Sequence, residues 1–278
     1  MTNDVALITF VPFAILVLEL AGRRDALIRV VVLQTIAANL GSMATPVGNP
    51  QNLYLYAHYQ LVPGDFFALL LPLAAAGLAA LLLACLWGGG EEVSLTFRQP
   101  ARLERAGQLW ACLGLFLLCL LSVFRVIHYG LVTAAVAIVI GVLSPRTLKR
   151  VDYGLLLTFV FFFIFSGNLG RMPAVHQMLA ALLARNTLLC SAAISQVISN
   201  VPAAILLSGF TGAVRPLLFG VNVGGLGTLI ASMASVISYR AYAEIPEAKS
   251  GTYMMVFTLY NLIFLIIMCA AGWMLLSL

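Results

Sequence analysis

Charged residues are scarce: 15 Lys and Arg and 10 Asp and Glu make up 9% of 278 residues. Ordinary soluble domains carry about 25%. With so little charge the chain cannot cover a water-soluble surface, which excludes a soluble enzyme, a nucleic-acid binder and a disordered tail. Histidine is rarer still, and His58, His128 and His176 are scattered. A membrane-embedded enzyme would need clustered His, Cys or acidic groups at the bilayer surface, so no catalytic residue is assigned and the chain is not read as an enzyme. Cys85, Cys112, Cys119, Cys190 and Cys269 all lie in apolar runs without CxxC or Cys/His spacing. They read as small hydrophobes, with no zinc and no disulfide indicated. The opening Met1-Thr2-Asn3-Asp4 lacks the basic region of a signal peptide. What is abundant is apolar: 62% of residues are hydrophobic and the mean hydropathy is +1.05. The expectation is an integral membrane protein.

Spanning helices need about 20 mostly apolar residues. Residues 66–87, 109–124, 130–143, 153–169 and 253–276 supply clean or short candidates. Residues 5–21 and 188–210 are apolar but interrupted, while 28–56 and 214–239 are rich in Gly, Asn, Ser and Thr at their centres. If 188–210 is a re-entrant hairpin, eleven Lys and Arg residues fall on the cytoplasmic side and four (Arg125, Arg171, Arg185, Arg215) outside, in agreement with the positive-inside rule. Residues 172–184 place Val175, Met178, Leu179 and Leu182 on one side of an interfacial amphipathic helix, with His176 solvated. Residues 88–107 form a polar cytoplasmic linker. The expected organisation is residues 1–87 as the later part of a first inverted repeat, the linker, and residues 108–278 as a complete second repeat.

The repeat is visible in two matched motifs. Thr2-Asn3-Asp4-Val5-Ala6 aligns with Ser199-Asn200-Val201-Pro202-Ala203, and residues 39–49 align with 222–232 as N-Φ-G-[GS]-Φ-[AG]-T-x-Φ-[AG]-[NS], where Φ is apolar. Each pair precedes a full apolar span. This predicts an all-α polytopic membrane protein with inverted repeats, re-entrant hairpins and broken transmembrane helices. Ser199 and Asn200 are expected to cap a returning half-helix, with Pro202 in its first turn. Gly41, Pro46, Gly48 and Pro50 in one half, and Gly224, Gly225 and Gly227 in the other, are expected to let the backbone unwind. Unwound carbonyls with Asn, Ser and Thr side chains can replace the water shell of Na⁺, and free N–H groups at a helix start can hold an anion. Small polar residues also simply permit close helix packing. The duplication of the segments, with Asn at matched positions, favours a transport site over packing.

Single polar residues carry further expectations. Asp4 beside Asn3 would bind a cation or carry a proton, since an ionisable group at that depth is functional by default; the competing reading is a carboxylate complementing the helix dipole. Glu19 near Arg23 reads as an interfacial charge. Asn168 and Asn261 are expected to form interhelical hydrogen bonds, and the Phe-rich run 159–165 to face lipid.

At these residues the chain resembles the ion transporter superfamily, which groups citrate–metal transporters, divalent anion–sodium symporters, arsenite efflux permeases and a class of sodium–proton antiporters. The likeness rests on residues 2–6 with Pro12, the run Ala44 to Asn52, the stretch 161–169 (FFFIFSGNL) and the run Ser195 to Pro202. It implies an elevator-like permease, often a homodimer, with paired hairpins around an oxyanion or carboxylate site flanked by sodium sites. Candidate substrate- and ion-binding residues are Asn3, Asp4, Thr45, Gly48, Asn49, Ser199, Asn200, Gly224, Gly225, Thr228 and Ser232, with Na⁺ at Asn3, Asn49, Asn200 and Gly224. No cofactor is expected beyond Na⁺ or H⁺ as coupling ion. The expected partners are a small anion, the lipid bilayer and a second copy, in a bacterial inner membrane. The symporter branch carries Ser-Asn-Thr at both tips; Asn3-Asp4 here is closer to the arsenite-efflux pattern. The second half holds about ninety residues before its tip motif and the first almost none, so the chain is expected to be a truncated permease. The rival readings are an arsenite efflux permease, a Na⁺/H⁺ antiporter using Asp4, and, in another class, a non-transporting scaffold or inactive fragment.

Overall fold

A computed structural model describes residues 2–86, 106–151 and 153–278, and every regular element among them is helical. In chain order these are α1 (Asn3–Leu20), α2 (Leu27–Ser42), α3 (Pro50–His58), α4 (Pro63–Leu86), α5 (Ala106–Val123), α6 (Tyr129–Leu143), α7 (Pro145–Lys149), α8 (Tyr153–Gly170), α9 (Pro173–Arg185), α10 (Thr187–Ile198), α11 (Asn200–Ser208), α12 (Val214–Val223), α13 (Met233–Ala243) and α14 (Ser250–Ser277). Four of them, α1, α4, α5 and α14, are long and apolar enough to cross a bilayer. Helices suit that medium because they satisfy their own backbone groups. Residues 87–105, most of the expected linker, lie outside the described residues, and residues 106–107 already belong to α5.

Local chemistry sets the helix starts. The Thr2 hydroxyl accepts from the Val5 N–H at 3.4 Å, Asn49 from Asn52 at 3.0 Å and Asn186 from Leu189 at 2.9 Å. Each thereby satisfies one orphan donor of a first turn. Pro50 and Pro173 stand at the first helical position of α3 and α9, where a missing N–H costs nothing. The α8–α9 junction bends by 98°. On α9, however, Leu179 and Leu183 are the buried residues, while Met178 and Leu182 are exposed. The protein-facing stripe runs i, i+4 through these leucines, and the other two are left for lipid.

The chain divides into two compact units. One comprises α5, α6, α7 and the first half of α8. Pro145 opens α7 there, at the first helical position. The other comprises residues 2–86 and 162–278 and carries all the repeated motifs. In this unit α2 and α3 are separated by residues 43–49, and α12 and α13 by 224–232, which hold only the short 3₁₀ turn Leu229–Ala231. Both expected breaks are present.

Hydrogen bonds fix the polarity of these broken helices. At one end, Leu27 and Ile28 at the start of α2 sit with Tyr242 and Lys249 around a shared hollow, and Arg24 lies 4.0 Å from Glu247. At the other end, the Tyr59 hydroxyl after α3 donates to the Thr211 carbonyl at 2.8 Å, just before α12. Arg215 on α12 donates to the carbonyl of Leu275 near the end of α14 at 2.6 Å. The pairs α2–α3 and α12–α13 therefore run in opposite directions. Around the first end, Glu19 pairs with Arg24 at 3.2 Å, and Arg23 holds the exposed Asp25 carboxyl below its usual pKa through a 3.1 Å contact.

Phe161, Phe163, Ile164 and Phe165 are exposed along α8, as a lipid-facing run should be. Asn168 is exposed as well. Asn261 is fully buried, but its amide donates to Phe257 in its own helix at 2.9 Å. The expected interhelical bond from Asn261 is absent among the described residues, because the i−4 carbonyl is the nearer acceptor.

Candidate functional site

The two breaks face each other through a buried cluster of amides and hydroxyls. Asn39 in the last turn of α2 accepts from Ser232 at 3.0 Å, beyond the other break. In return, Asn222 in the last turn of α12 accepts from Asn49 at 3.1 Å, beyond the first. Asn39 and Asn222 occupy equivalent motif positions, as do Asn49 and Ser232, so the same crosslink is made twice in reciprocal sense. Asn222 also donates to Asn52 at 2.6 Å and to the Leu218 carbonyl at 2.8 Å. Asn52 in turn donates to the carbonyls of Met43 and Thr45, both at 3.4 Å. Asn39, Asn49, Asn52, Asn222 and Ser232 are all at most 4% exposed. Polar atoms at such depth need partners, and here each break supplies them to the other.

Each hairpin-tip motif meets this cluster. The Asn3 backbone N–H donates to the Gly48 carbonyl at 3.0 Å and its side chain to Asn39 at 3.3 Å, so the start of α1 is tied to the first break. Asn200 is buried at the start of α11, and its amide lies 2.8 Å from where a Cβ on Gly225 would stand. That amide makes no hydrogen bond among the described residues. Asp4 is similar: its Oδ1 is buried without a partner, while the Asp4 N–H donates to Asn3 at 2.9 Å. The two tips thus present an uncommitted amide and an uncommitted carboxylate, and a neighbouring solute could use either.

Other expected ligands are already engaged. The Gly224 carbonyl accepts from Gln196 at 2.9 Å, and the Gly225 carbonyl from Asn39 at 3.2 Å. In this conformation side-chain amides occupy carbonyls expected to hold a cation. Thr228 is exposed; its hydroxyl donates to the Gln196 carbonyl at 3.0 Å, away from the amide cluster. Thr45 is half-buried and contributes its carbonyl rather than its hydroxyl. Ser199 does not cap α11. It adopts a positive φ of 72° between α10 and α11, and its hydroxyl donates to Ala231 at 3.3 Å. The tip is instead pinned sideways onto the second break. Gly41 lies inside α2, and Pro50 opens α3, so the first break depends on residues 43–49.

Three residues that the sequence reading did not assign to the site now belong to it: Asn39, Asn222 and Asn52. The first two head the duplicated motif, a signal that was available. Gln196 is a further addition: it braces the second break by donating to Gly224 and Leu226 and accepting from Thr228 N–H at 2.8 Å. Gly227 between them has φ 105°, and a Cβ there would strike the Gln196 side chain, so this turn requires glycine. Among the described residues no group of three His, Cys, Asp or Glu is placed to hold a metal ion.

A multi-span helical protein with two opposed helix breaks and a helix-to-helix tip packed on a polar core has the build of a membrane permease. The sequence profile of the citrate transporter family (CitMHS) matches residues 1–215, and the chain belongs to that family. It is similar to the inner membrane protein YbiR of Escherichia coli (strain K12), 35% identical over 248 residues, covering 86% of this chain and 65% of that protein. It is also similar to the uncharacterized transporter MJ0456 of Methanocaldococcus jannaschii, 29% identical over 277 residues, covering 97% of this chain and 74% of that one. A shorter likeness, 37% over 89 residues, joins 31% of the chain to 18% of the silicon efflux transporter LSI3 of Oryza sativa subsp. japonica. The chain thus spans about two thirds of YbiR's length. It is an integral, multi-pass membrane protein of a transporter family.

Proposed function

We propose that the chain carries the solute site of a secondary active transporter for small anions, citrate or another carboxylate or an inorganic oxyanion, coupled to Na⁺ or H⁺. On this reading it works as a homodimer in a bacterial inner membrane, and its two sequence halves are inverted repeats. The observation that carries the reading is the pair of uncommitted tip groups, the Asn200 amide and the Asp4 carboxylate, beside helix breaks that already cross-brace each other. A solute entering there meets donors at one tip and a titratable acceptor at the other. Displacing Gln196 and Asn39 from the Gly224 and Gly225 carbonyls would release oxygen ligands for a coupling cation such as Na⁺. The Asn3 and Asn49 side-chain oxygens and that of Asn200 complete the expected donor set.

A second reading, efflux of a metalloid oxyacid such as arsenite, or Na⁺/H⁺ antiport in the same framework, draws on two observations. The first tip holds a carboxylate where a hydroxyl would serve an anion better, and one relative is named a silicon efflux transporter. Proteoliposomes supplied with citrate, succinate, sulfate or arsenite under separate Na⁺ and H⁺ gradients discriminate the readings. For the anion symporter, Asn200→Ala is expected to cut uptake at least about tenfold, the loss of one hydrogen bond to a charged solute, without altering insertion. Asp4→Asn should leave part of a Na⁺-driven uptake. For the antiporter or effluxer, Asp4→Asn abolishes proton-driven flux. Full uptake by Asn200→Ala would remove the tip from the site.

A further inference from the structure

A cavity of about 620 Å³ opens between α4 and α14, away from the amide cluster. Its walls are Ala80, Leu83 and Ala84 on one helix and Leu259, Ile263 and Ile267 on the other, with Arg29 of α2 at its rim. Ala80 and Ala84 are one helical turn apart, so the short side chains on that face of α4 leave a hollow where leucines would fill it. Leu83, Leu259 and Ile263 also expose much of their surface (67%, 57% and 46%), so the cavity opens sideways to the medium around the helices. In a membrane protein that medium is acyl chain.

Arg29 decides what kind of lipid fits. Its guanidinium is half-buried and donates one hydrogen bond, to the Ala84 carbonyl at 2.8 Å. No carboxylate among the described residues pairs with it; of the acids at this end, Glu19, Asp25 and Glu247 lie against Arg23 or Arg24, and no ion pair joins Glu244 to Arg29. A guanidinium has five N–H donors in a planar fork. One backbone carbonyl leaves most of them, and the charge, unmatched at an apolar rim. A phosphate diester provides two oxygens in the geometry the fork prefers. Lys249 lies at the same end of the unit and adds positive potential there, the arrangement that draws anionic lipid to the cytoplasmic leaflet.

We infer that the α4–α14 groove is a binding site for an anionic phospholipid, with one acyl chain between Ala80, Ala84 and Ile263 and the phosphate on Arg29. A zwitterionic lipid would place its own cation near the same guanidinium and is disfavoured. The site is independent of which solute is transported.

The test is native mass spectrometry of the detergent-purified protein titrated with phosphatidylglycerol or phosphatidylcholine. The wild type should retain phosphatidylglycerol about tenfold better, the gain of one charge-assisted contact. Arg29→Gln should bring the two lipids level, and Arg29→Lys should keep part of the preference. Ala84→Leu, which fills the hollow and leaves the charge, should reduce retention of both lipids. Unchanged preference in Arg29→Gln, or unchanged retention in Ala84→Leu, overturns the proposal. So does conversion of a dimer to a monomer by Ala84→Leu with lipid binding intact, because a second copy would then be what covers the groove.

Discussion

Asn222→Leu is expected to lower the thermal midpoint of the purified protein by roughly 5–10 °C, corresponding to about 2–4 kcal/mol for a chain of this size. Leucine is close in size, so the loss is one of hydrogen bonds and not of volume. Asn52 Oδ1 loses the 2.6 Å donor that satisfies it, and the Asn49 side-chain NH2 keeps only its 3.1 Å bond to Ser42. A buried acceptor left without a partner costs about 1–3 kcal/mol. Ser232→Ala should cost less, about 1 kcal/mol, because Asn39 still receives Asn3 at 3.3 Å. The pairing itself is read from a double-mutant cycle of Asn49→Ala with Asn222→Leu, which should give a coupling above about 1 kcal/mol. Interhelical hydrogen bonds in membranes average only about 0.6 kcal/mol, since the unfolded chain also finds partners there. An Asn222→Leu variant as stable as the wild type would place this cluster in that weaker class and leave the breaks without their proposed brace.

Such reciprocal bonding explains what the residues reveal in advance and what they conceal. Breaks at 43–49 and 224–232 are legible because Asn, Gly and Thr recur at matched positions (Asn39 and Asn222, Gly41 and Gly224, Thr45 and Thr228) where an unbroken span would carry aliphatic side chains. The interruption at Ser199 is legible from Asn200 and Pro202, which open a new helix there. Partnership across the molecule is not legible. Asn222 and Asn49 are 173 positions apart, and which amide meets which follows from how the halves close, not from local spacing. Gln196 illustrates the same limit: it sits in a regular helix, and only the fold brings the Gly224 and Leu226 carbonyls within reach of its amide. Local rules were also outcompeted at Ser199. A serine before a helix ordinarily caps it, but the positive φ at this tip turns the hydroxyl toward Ala231. On α9 the apolar side is legible but its division is not: Leu179 and Leu183 pack on protein while Met178 and Leu182 stay exposed.

Gly48 and Gly41 lie in the same motif, and their alanine variants are expected to behave in opposite ways. In Gly48→Ala the new methyl group would fall on the Ser42 carbonyl, with the Ser42 Cα 2.9 Å away. Those atoms are backbone, so no rotamer change relieves the overlap, and the break must reopen. Reopening pulls on two contacts at once: the Asn3 N–H bond to the Gly48 carbonyl at 3.0 Å and the Gly48 N–H bond to Thr45 at 3.1 Å. Overpacking of a tight site costs about 1–3 kcal/mol, and these bonds add to it, so a loss of at least about 3 kcal/mol is expected. In practice the yield of monodisperse protein should collapse. Gly41 sits within α2 and is exposed, with no atom within 4 Å of its would-be Cβ. Alanine there removes only the flexibility penalty of a helical glycine, and Gly41→Ala should gain about 0.5–1 kcal/mol. Thermal unfolding of both variants by size-exclusion-monitored stability reads the contrast. Equal behaviour of the two would mean that the chain does not close at Ser42–Gly48, and the paired breaks would lose the geometry on which the site depends.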